Sequence, residues 1–420
     1  MGALPHASVV QNVRLNATVI VPNALQGIFR RRREAVRAAT VANVDSQAVG
    51  LLVGMSRSNG GLPTWVKVVR DDAILLFDPK DVERLLNQSP DPFASDPAAK
   101  RDGMVHFQPD ALTISRGQDW TSRRRFTEAV LGHAPAERAG AVAAEETARL
   151  LGTGSKIGWA EWNRTLQRTT RRIVLGDSAA EDDELTETLE RMMSGANGMP
   201  GKPSEELGGF VRKLSGYVES AEDGSLAGLL KGAPADERTA PVGQLTHWLF
   251  AMGDTLAINS FRALALLASF QAERDRALAD ESGAYLDACL HEAMRLWPTT
   301  TMLSRVSTAP SNWHSERVPE GTQFLILNTY GHRDPDRLAF ADRFAPEEWT
   351  LRDAASNPAF NHFSRGPQGC PGTALALLVG RTALRAVLER GVRRAEPGLN
   401  AAKPLPHMLD FFSLRVFLAD

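Results

Sequence analysis

The sequence predicts a mainly α-helical single domain, residues 1–420, with small β-sheets. Three observations lead there. Most of the chain carries apolar residues at helical spacing. The β-rich runs are few and short. No internal repeat, low-complexity stretch or linker divides the chain. At 43% hydrophobic and 23% charged residues the composition is that of a globular protein, and 420 residues can bury a sizeable core.

The elements follow in order. Residues 64–69 and 73–77 are β-rich and separated by Arg70-Asp71-Asp72, so they read as a hairpin. Asp78-Pro79 opens a helix over 81–87, with proline in the first turn. Residues 120–131, 136–151, 159–175 and 183–193 read as helices, and 194–203, rich in glycine and proline, as a loop. The longest helical stretch, 242–272, is apolar nearly throughout and suits a helix crossing the core. A helix over 285–297 stops at Pro298. Short strands follow at 301–307 and 323–328, then irregular chain over 335–349. A glycine-rich loop, 366–372, leads into an amphipathic helix at 373–390, and the tail, 409–418, reads as a strand pair.

A formal net charge of −2 gives no global attraction to nucleic acid or to an anionic membrane, and the Arg30–Arg33 cluster reads as a solvated helix face. Two cysteines, Cys289 and Cys370, argue against a disulfide scaffold and fit a reducing compartment. No apolar run approaches the ~20 residues that span a bilayer. Residues 1–23 lack the features of a secretory signal. A cytoplasmic location is expected.

The sharpest feature is Phe363-Ser364-Arg365-Gly366-Pro367-Gln368-Gly369-Cys370-Pro371-Gly372. Glycines permit tight turns and close backbone approach. Cys370 is expected at the start of the following helix with Pro371 at its first position, where unpaired N–H groups favour a thiolate. Such a thiolate could be a nucleophile, a zinc ligand or a haem ligand, or the cysteine could be inert. Zinc needs about four ligands, and no second cysteine or histidine stands at that spacing nearby. A nucleophile needs a base, and His362 is a weak candidate.

Phe363, Gly366, Cys370 and Gly372 resemble the haem-binding signature of the cytochrome P-450 family. The resemblance implies that Cys370 ligates haem iron, with Phe363 packed near the thiolate. The family usually carries Arg or His two residues before the cysteine, to bind a haem propionate. Gln368 stands there. It can donate a hydrogen bond but cannot form the ion pair.

Weaker signals come in the family's order along residues 60–420. Trp120 and Arg124 resemble its Trp-x-x-x-Arg motif, which meets one propionate. Ala251-Met252-Gly253-Asp254-Thr255 resembles the segment that serves oxygen activation, with Asp254 relaying protons and Thr255 supplying the hydroxyl; Met252 replaces the usual glycine. Glu292 and Arg295, at i and i+3, share a helix face. Alone they read as a surface ion pair; the resemblance implies a buried pair organising the core. Arg305 falls where the family places an arginine for the other propionate. In Phe344-Ala345-Pro346-Glu347-Glu348, Glu348 occupies the place of a third arginine, which is therefore missing or supplied from elsewhere.

The resemblance implies a helical prism with small β-sheets and haem b between the central helix, residues 242–272, and the cysteine-bearing helix. It implies monooxygenation: two electrons, two protons and O2 placing one oxygen in a substrate. Electrons are expected from a separate ferredoxin or flavodoxin with its reductase, docking near Arg365 and Arg381. Pocket-lining residues are expected at Val105, Phe107, Met252, Thr300, Met302 and Phe411, mostly apolar, which suits a hydrophobic small molecule. The rival readings are a peroxide-driven or redox-neutral haem-thiolate enzyme, and a non-enzymatic haem-thiolate sensor.

Overall fold

The computed structural model describes residues 3–419. Helices dominate, and the chain divides into two compact units. The first gathers residues 3–98, 294–370 and 402–410; the second gathers 99–293, 371–401 and 411–419.

The first unit is built on a five-stranded sheet. Its order is Thr64–Val68, Asp71–Leu76, Gln323–Leu327, Met302–Ser307, Phe93–Ala94. The expected hairpin is present, with Thr64 opposite Leu75. Asp71–Leu76 runs parallel to Gln323–Leu327, which pairs antiparallel with Met302–Ser307. Central strands buried on both faces read as continuous apolar runs, as Ala73-Ile74-Leu75-Leu76 and Phe324-Leu325-Ile326-Leu327 do. Leu75, Leu325 and Leu327 pack on one face with Leu52, Phe77 and Tyr330. Ile74, Leu76, Phe324 and Ile326 pack on the other with Leu85, Phe93 and Trp313. Asp78 caps the helix Pro79–Asn87 by accepting the Lys80 N–H at 2.8 Å.

Before the sheet stand helices that periodicity did not announce: Val9–Leu15, a π segment at Asn16–Ile20, Val21–Gln26, Arg33–Ala42 and Val44–Ser58. The reading of Arg30–Arg33 as a helix face is corrected here. Only Arg33 is helical. Arg31, in the connecting loop, turns inward to donate to the Thr299 carbonyl at 2.8 Å, and that long-range bond leaves no trace in local sequence.

In the second unit, Ala136–Leu151, Trp159–Leu175 and Thr373–Arg390 keep their expected bounds. Glu161 reaches back to the Gly158 N–H at 3.1 Å and closes the start of the second of these. The expected helices at 120–131 and 183–193 are longer, Gly117–Gly132 and Asp183–Ala196.

Two expectations need correction. The central helix runs as Pro241–Phe250, a π segment at Ala251–Thr255, and Leu256–Ser269. It stops at Ser269 because Phe270 leaves the helical region (φ −111°, ψ 89°), and a new helix, Gln271–Ala279, begins. In the tail only Arg415–Leu418 is a strand; it pairs with Val392–Glu396 and Lys156–Gly158. Residues 411–413 form a turn instead: Phe411 is buried and its ring packs 4.5 Å from that of Trp159.

Candidate functional site

The cysteine loop belongs to the first unit as far as Cys370, and the chain from Pro371 to the second. Gly366 has φ +64°, and a Cβ there would stand 2.5 Å from the Leu86 carbonyl oxygen and 2.9 Å from the Asn87 Cα. Those are backbone atoms that cannot swing away, so only glycine fits. Ser364 also takes a positive φ, +58°. The Cys370 N–H donates to the Phe363 carbonyl at 2.8 Å and the Gly369 N–H to the Gly366 carbonyl at 2.9 Å. These bonds fold the loop back on itself. The helix starts at Thr373 with Gly372 as its cap, so Pro371 is not its first residue and Cys370 stands farther from the helix end than the sequence suggested. Cys370 is exposed and Cys289 buried. Among the described residues no group of three or more His, Cys, Asp or Glu could hold a metal ion. The His362 ring joins those of Phe363, Trp349 and His332, with centroids 5.2, 5.5 and 5.7 Å away.

Beside the loop, Arg305 is only 4% exposed. Its guanidinium donates to the Ser89 hydroxyl at 2.9 Å, the Ser304 carbonyl at 2.9 Å and the Ser364 hydroxyl at 3.3 Å. No carboxylate of the described residues forms a salt bridge with it, and burial pushes its pKa down to about 10. A buried cation without an anion is costly, so this position suits an anionic ligand group. Gln368 donates to the Ser95 hydroxyl at 3.1 Å, and its buried Oε1 has no hydrogen-bond partner. Cys370, Arg305 and Gln368 thus offer an accessible thiol, an uncompensated cation and an amide within one unit, a donor set that fits haem and its propionates.

Glu292 and Arg295 are both fully buried, which removes the surface reading of the pair. The Arg295 guanidinium donates to the carbonyls of His332 (3.0 Å), Phe340 (3.3 Å), Ala341 (3.0 Å) and Arg343 (2.8 Å). Glu348 does not join it; its carboxylate meets Arg352 at 3.0 Å. The buried arginine nearby is Arg333, paired with Asp342 at 2.6 Å and donating to the carbonyls of Leu405 at 2.6 Å and Pro406 at 2.8 Å. Its neighbour His332 accepts the Asn361 N–H at 3.0 Å, two residues before Phe363, and so tethers the start of the cysteine loop. Burial, with the Arg295 charge behind it, pushes the His332 pKa down to about 3. Sequence reasoning passed over both residues. The run His332-Arg333-Asp334 after an apolar strand was the available signal.

In the second unit, Trp120 and Arg124 lie half-buried on one helix, and the Arg124 Nε meets Glu128 at 2.7 Å. Ala251–Thr255 is a π segment, in which the Leu256 N–H reaches the Ala251 carbonyl. Such insertions widen a turn and recur at functional sites. Gly253 admits Gln167: a Cβ there would stand 2.2 Å from the Gln167 Oε1. Met252 and Asp254 are buried, whereas Ala251 and Thr255 remain half-accessible on one face with His247 and Phe250. His247, also unremarked in the sequence, contacts the Gln108 Oε1 through Nδ1 at 3.0 Å, and burial pushes its pKa down to about 4. Phe107 packs edge-on to Phe250 with centroids 6.0 Å apart. Phe107 and Phe411 are buried, Val105 and Met302 half-buried, and Thr300 exposed. Thr300 and Met302 belong to the first unit; Val105, Phe107, Met252 and Phe411 belong to the second.

Comparison with known proteins bears on this arrangement. Residues 281–390 match the family model described as cytochrome P-450. A probable cytochrome P-450 4s3 of Drosophila melanogaster is 29% identical over 176 residues, 40% of this chain and 35% of that protein. The cytochrome P-450 monooxygenase nodW of Hypoxylon pulicicidum is 33% identical over 128 residues, 29% of this chain and 23% of that one. The chain thus spans about a quarter to a third of the length of these two relatives. Among solved structures, a six-coordinated cytochrome P-450 of Thermus thermophilus aligns with TM-score 0.66 at 19% identity, covering 89% of this chain and 98% of that one. A second, from another strain of the same organism, gives 0.67 at 18% identity, covering 90% and 97%.

Proposed function

We infer that this chain, a member of the cytochrome P-450 family, is a haem-thiolate monooxygenase acting on a hydrophobic small molecule. The observation that carries this reading is the pairing, in one unit, of an accessible Cys370 in a glycine-fitted loop with a buried Arg305 that forms no salt bridge with a carboxylate of the described residues. Haem b would supply the chemistry of reducing O2 with two electrons and two protons, so that one oxygen atom enters the substrate and the other leaves as water.

The chain's own residues do the rest. Cys370 would be the thiolate ligand, and the Phe363 carbonyl that accepts its N–H fixes its backbone. Arg305 and Gln368 would hold one haem carboxylate, and Trp120 and Arg124 would hold the other. Asp254 and Thr255 hold and pass protons. Asp254 is buried and Thr255 half-accessible, so these consecutive residues of the π segment point apart and would serve different ends of a relay. Electrons come from a separate ferredoxin or flavodoxin with its reductase, in the cytoplasm.

The test is the yield of product per reducing equivalent with a ferredoxin and reductase supplied. Thr255→Ala should still consume reductant but divert it to hydrogen peroxide, and Asp254→Asn should slow turnover; general acid–base groups contribute roughly 10²–10⁴-fold. Unchanged coupling in both variants would remove the relay from the mechanism.

A further inference from the structure

One buried polar side chain of the second unit is only half used. Gln108 is 2% exposed, and its Nε2 has no hydrogen-bond partner among the described residues. A buried N–H without an acceptor is costly, and an apolar side chain of similar size would fill the same space without that cost. Packing alone therefore does not account for the amide, and its other end gives the reason. The Gln108 Oε1 meets the His247 Nδ1 at 3.0 Å.

That contact fixes the state of the ring. A carbonyl oxygen only accepts, so the proton sits on Nδ1 and Nε2 keeps a bare lone pair. Burial, and then the Lys100 charge, push the His247 pKa down to about 4, which keeps the ring neutral at physiological pH. His247 is half-accessible, on the helix face that it shares with Phe250, Ala251 and Thr255. Its ring stands edge-on to that of Phe250 with centroids 5.9 Å apart, and Phe250 meets the buried Phe107 in the same manner at 6.0 Å. A hydrogen-bond acceptor is thus set in an aromatic, apolar wall.

Such an acceptor is answered by a donor on the ligand, and a site built around one rejects the analogue that lacks it. A hydroxyl suits it better than an ammonium, because the Lys100 charge that lowers the His247 pKa would repel a cation. Resting on the haem-thiolate reading above, we propose that His247 is a specificity-determining residue whose Nε2 accepts a hydrogen bond from a hydroxyl of the hydrophobic substrate, with Gln108 as the positioning residue that fixes the ring. Thr255 stands eight residues after His247, about 12 Å along a helix at 1.5 Å per residue. The hydroxyl is therefore an anchor remote from the position that is oxidised.

Nitrogen NMR of the purified full chain with isotopically labelled histidine rings, assigned by the signal lost in His247→Phe, reads the tautomer and needs no haem. His247 should carry its proton on Nδ1 in wild type and lose that bias in Gln108→Leu. Equilibrium dialysis of the haem-loaded chain then compares dodecanol, menthol and adamantanol with their methyl ethers. At least one alcohol should bind about fivefold more tightly than its ether, the worth of one hydrogen bond. His247→Phe and Gln108→Leu should both erase that preference. Circular dichroism checks that the variants fold, and if His247→Phe does not, Gln108→Leu carries the comparison. A proton on Nε2 in wild type, no alcohol outbinding its ether, or a preference that survives in either variant would overturn the proposal. A chain that loads no haem would remove the haem-thiolate reading and the substrate proposal with it, whatever the tautomer.

Discussion

Two buried arginines of the same unit, ten positions apart in sequence, are held in opposite ways. Arg295 is fully buried and surrounded by the carbonyls of His332, Phe340, Ala341 and Arg343. Arg305 is nearly as buried, yet it meets two serine hydroxyls and one carbonyl and forms no salt bridge with any described carboxylate. The first clamps the segment 332–343 to the end of its helix; this is scaffold. The second carries charge that its own unit leaves uncompensated, which is the mark of a ligand position. Burial alone does not distinguish the two roles; the completeness of the hydrogen-bond shell does.

The comparison breaks most directly on stability. Arg295→Ala strips four carbonyls of their donor and should cost about 3–5 kcal/mol, as should Glu292→Ala. Both variants should yield little soluble protein and a much lower urea midpoint. Normal folding of both would show that neither residue is needed as scaffold.

Arg305→Leu should behave in the opposite sense. The ligand-free protein should be as stable as wild type or more so, because an uncompensated charge has gone. Haem transfer to an acceptor protein should then quicken by about tenfold, in line with a charge-assisted bond worth some 1.5–3 kcal/mol. Equal haem retention in wild type and Arg305→Leu would erase the distinction between the arginines.

A smaller effect concerns pH. The folded pKa of His332, about 3, lies below the ordinary value of ~6.5. The unfolded chain therefore binds the proton more readily, and the contribution of neutral His332 is complete above about 6.5 and lost as pH falls toward 3. Protonation also removes the acceptor that holds the Asn361 N–H. The urea midpoint should fall across this window, and His332→Gln should lower it at neutral pH while flattening the slope. A parallel pH profile in both proteins would exclude His332 as a source.

What the sequence disclosed follows from how local each signal was. Helices with an apolar inner face, such as Ala136–Leu151 and Thr373–Arg390, were legible to the residue because burial and periodicity agree there. The N-terminal helices were not: over residues 9–26 apolar side chains stand on both sides, Leu15 and Val19 in the core and Val9, Val13, Val21 and Leu25 exposed, so the usual pattern points nowhere. Cys370 and its glycines stood out because a turn of that shape admits few residues, and Gly366 shows the reason in its closeness to Leu86 and Asn87. His332 and Arg333 escaped notice because their partners, Asn361, Leu405 and Pro406, lie far along the chain. Glu348 stands where a third arginine was expected and pairs with Arg352 instead; the buried arginine near Arg295 is Arg333, which no local pattern pointed to.

The central claim is that Cys370, and not Cys289, is the haem ligand. The most direct test is the absorption spectrum of the reduced carbonyl adduct in wild type, Cys370→Ala and Cys289→Ala. The account predicts the red-shifted Soret band of a thiolate ligand in wild type and Cys289→Ala, and its loss in Cys370→Ala. A Cys370→Ala protein that kept that band would contradict it.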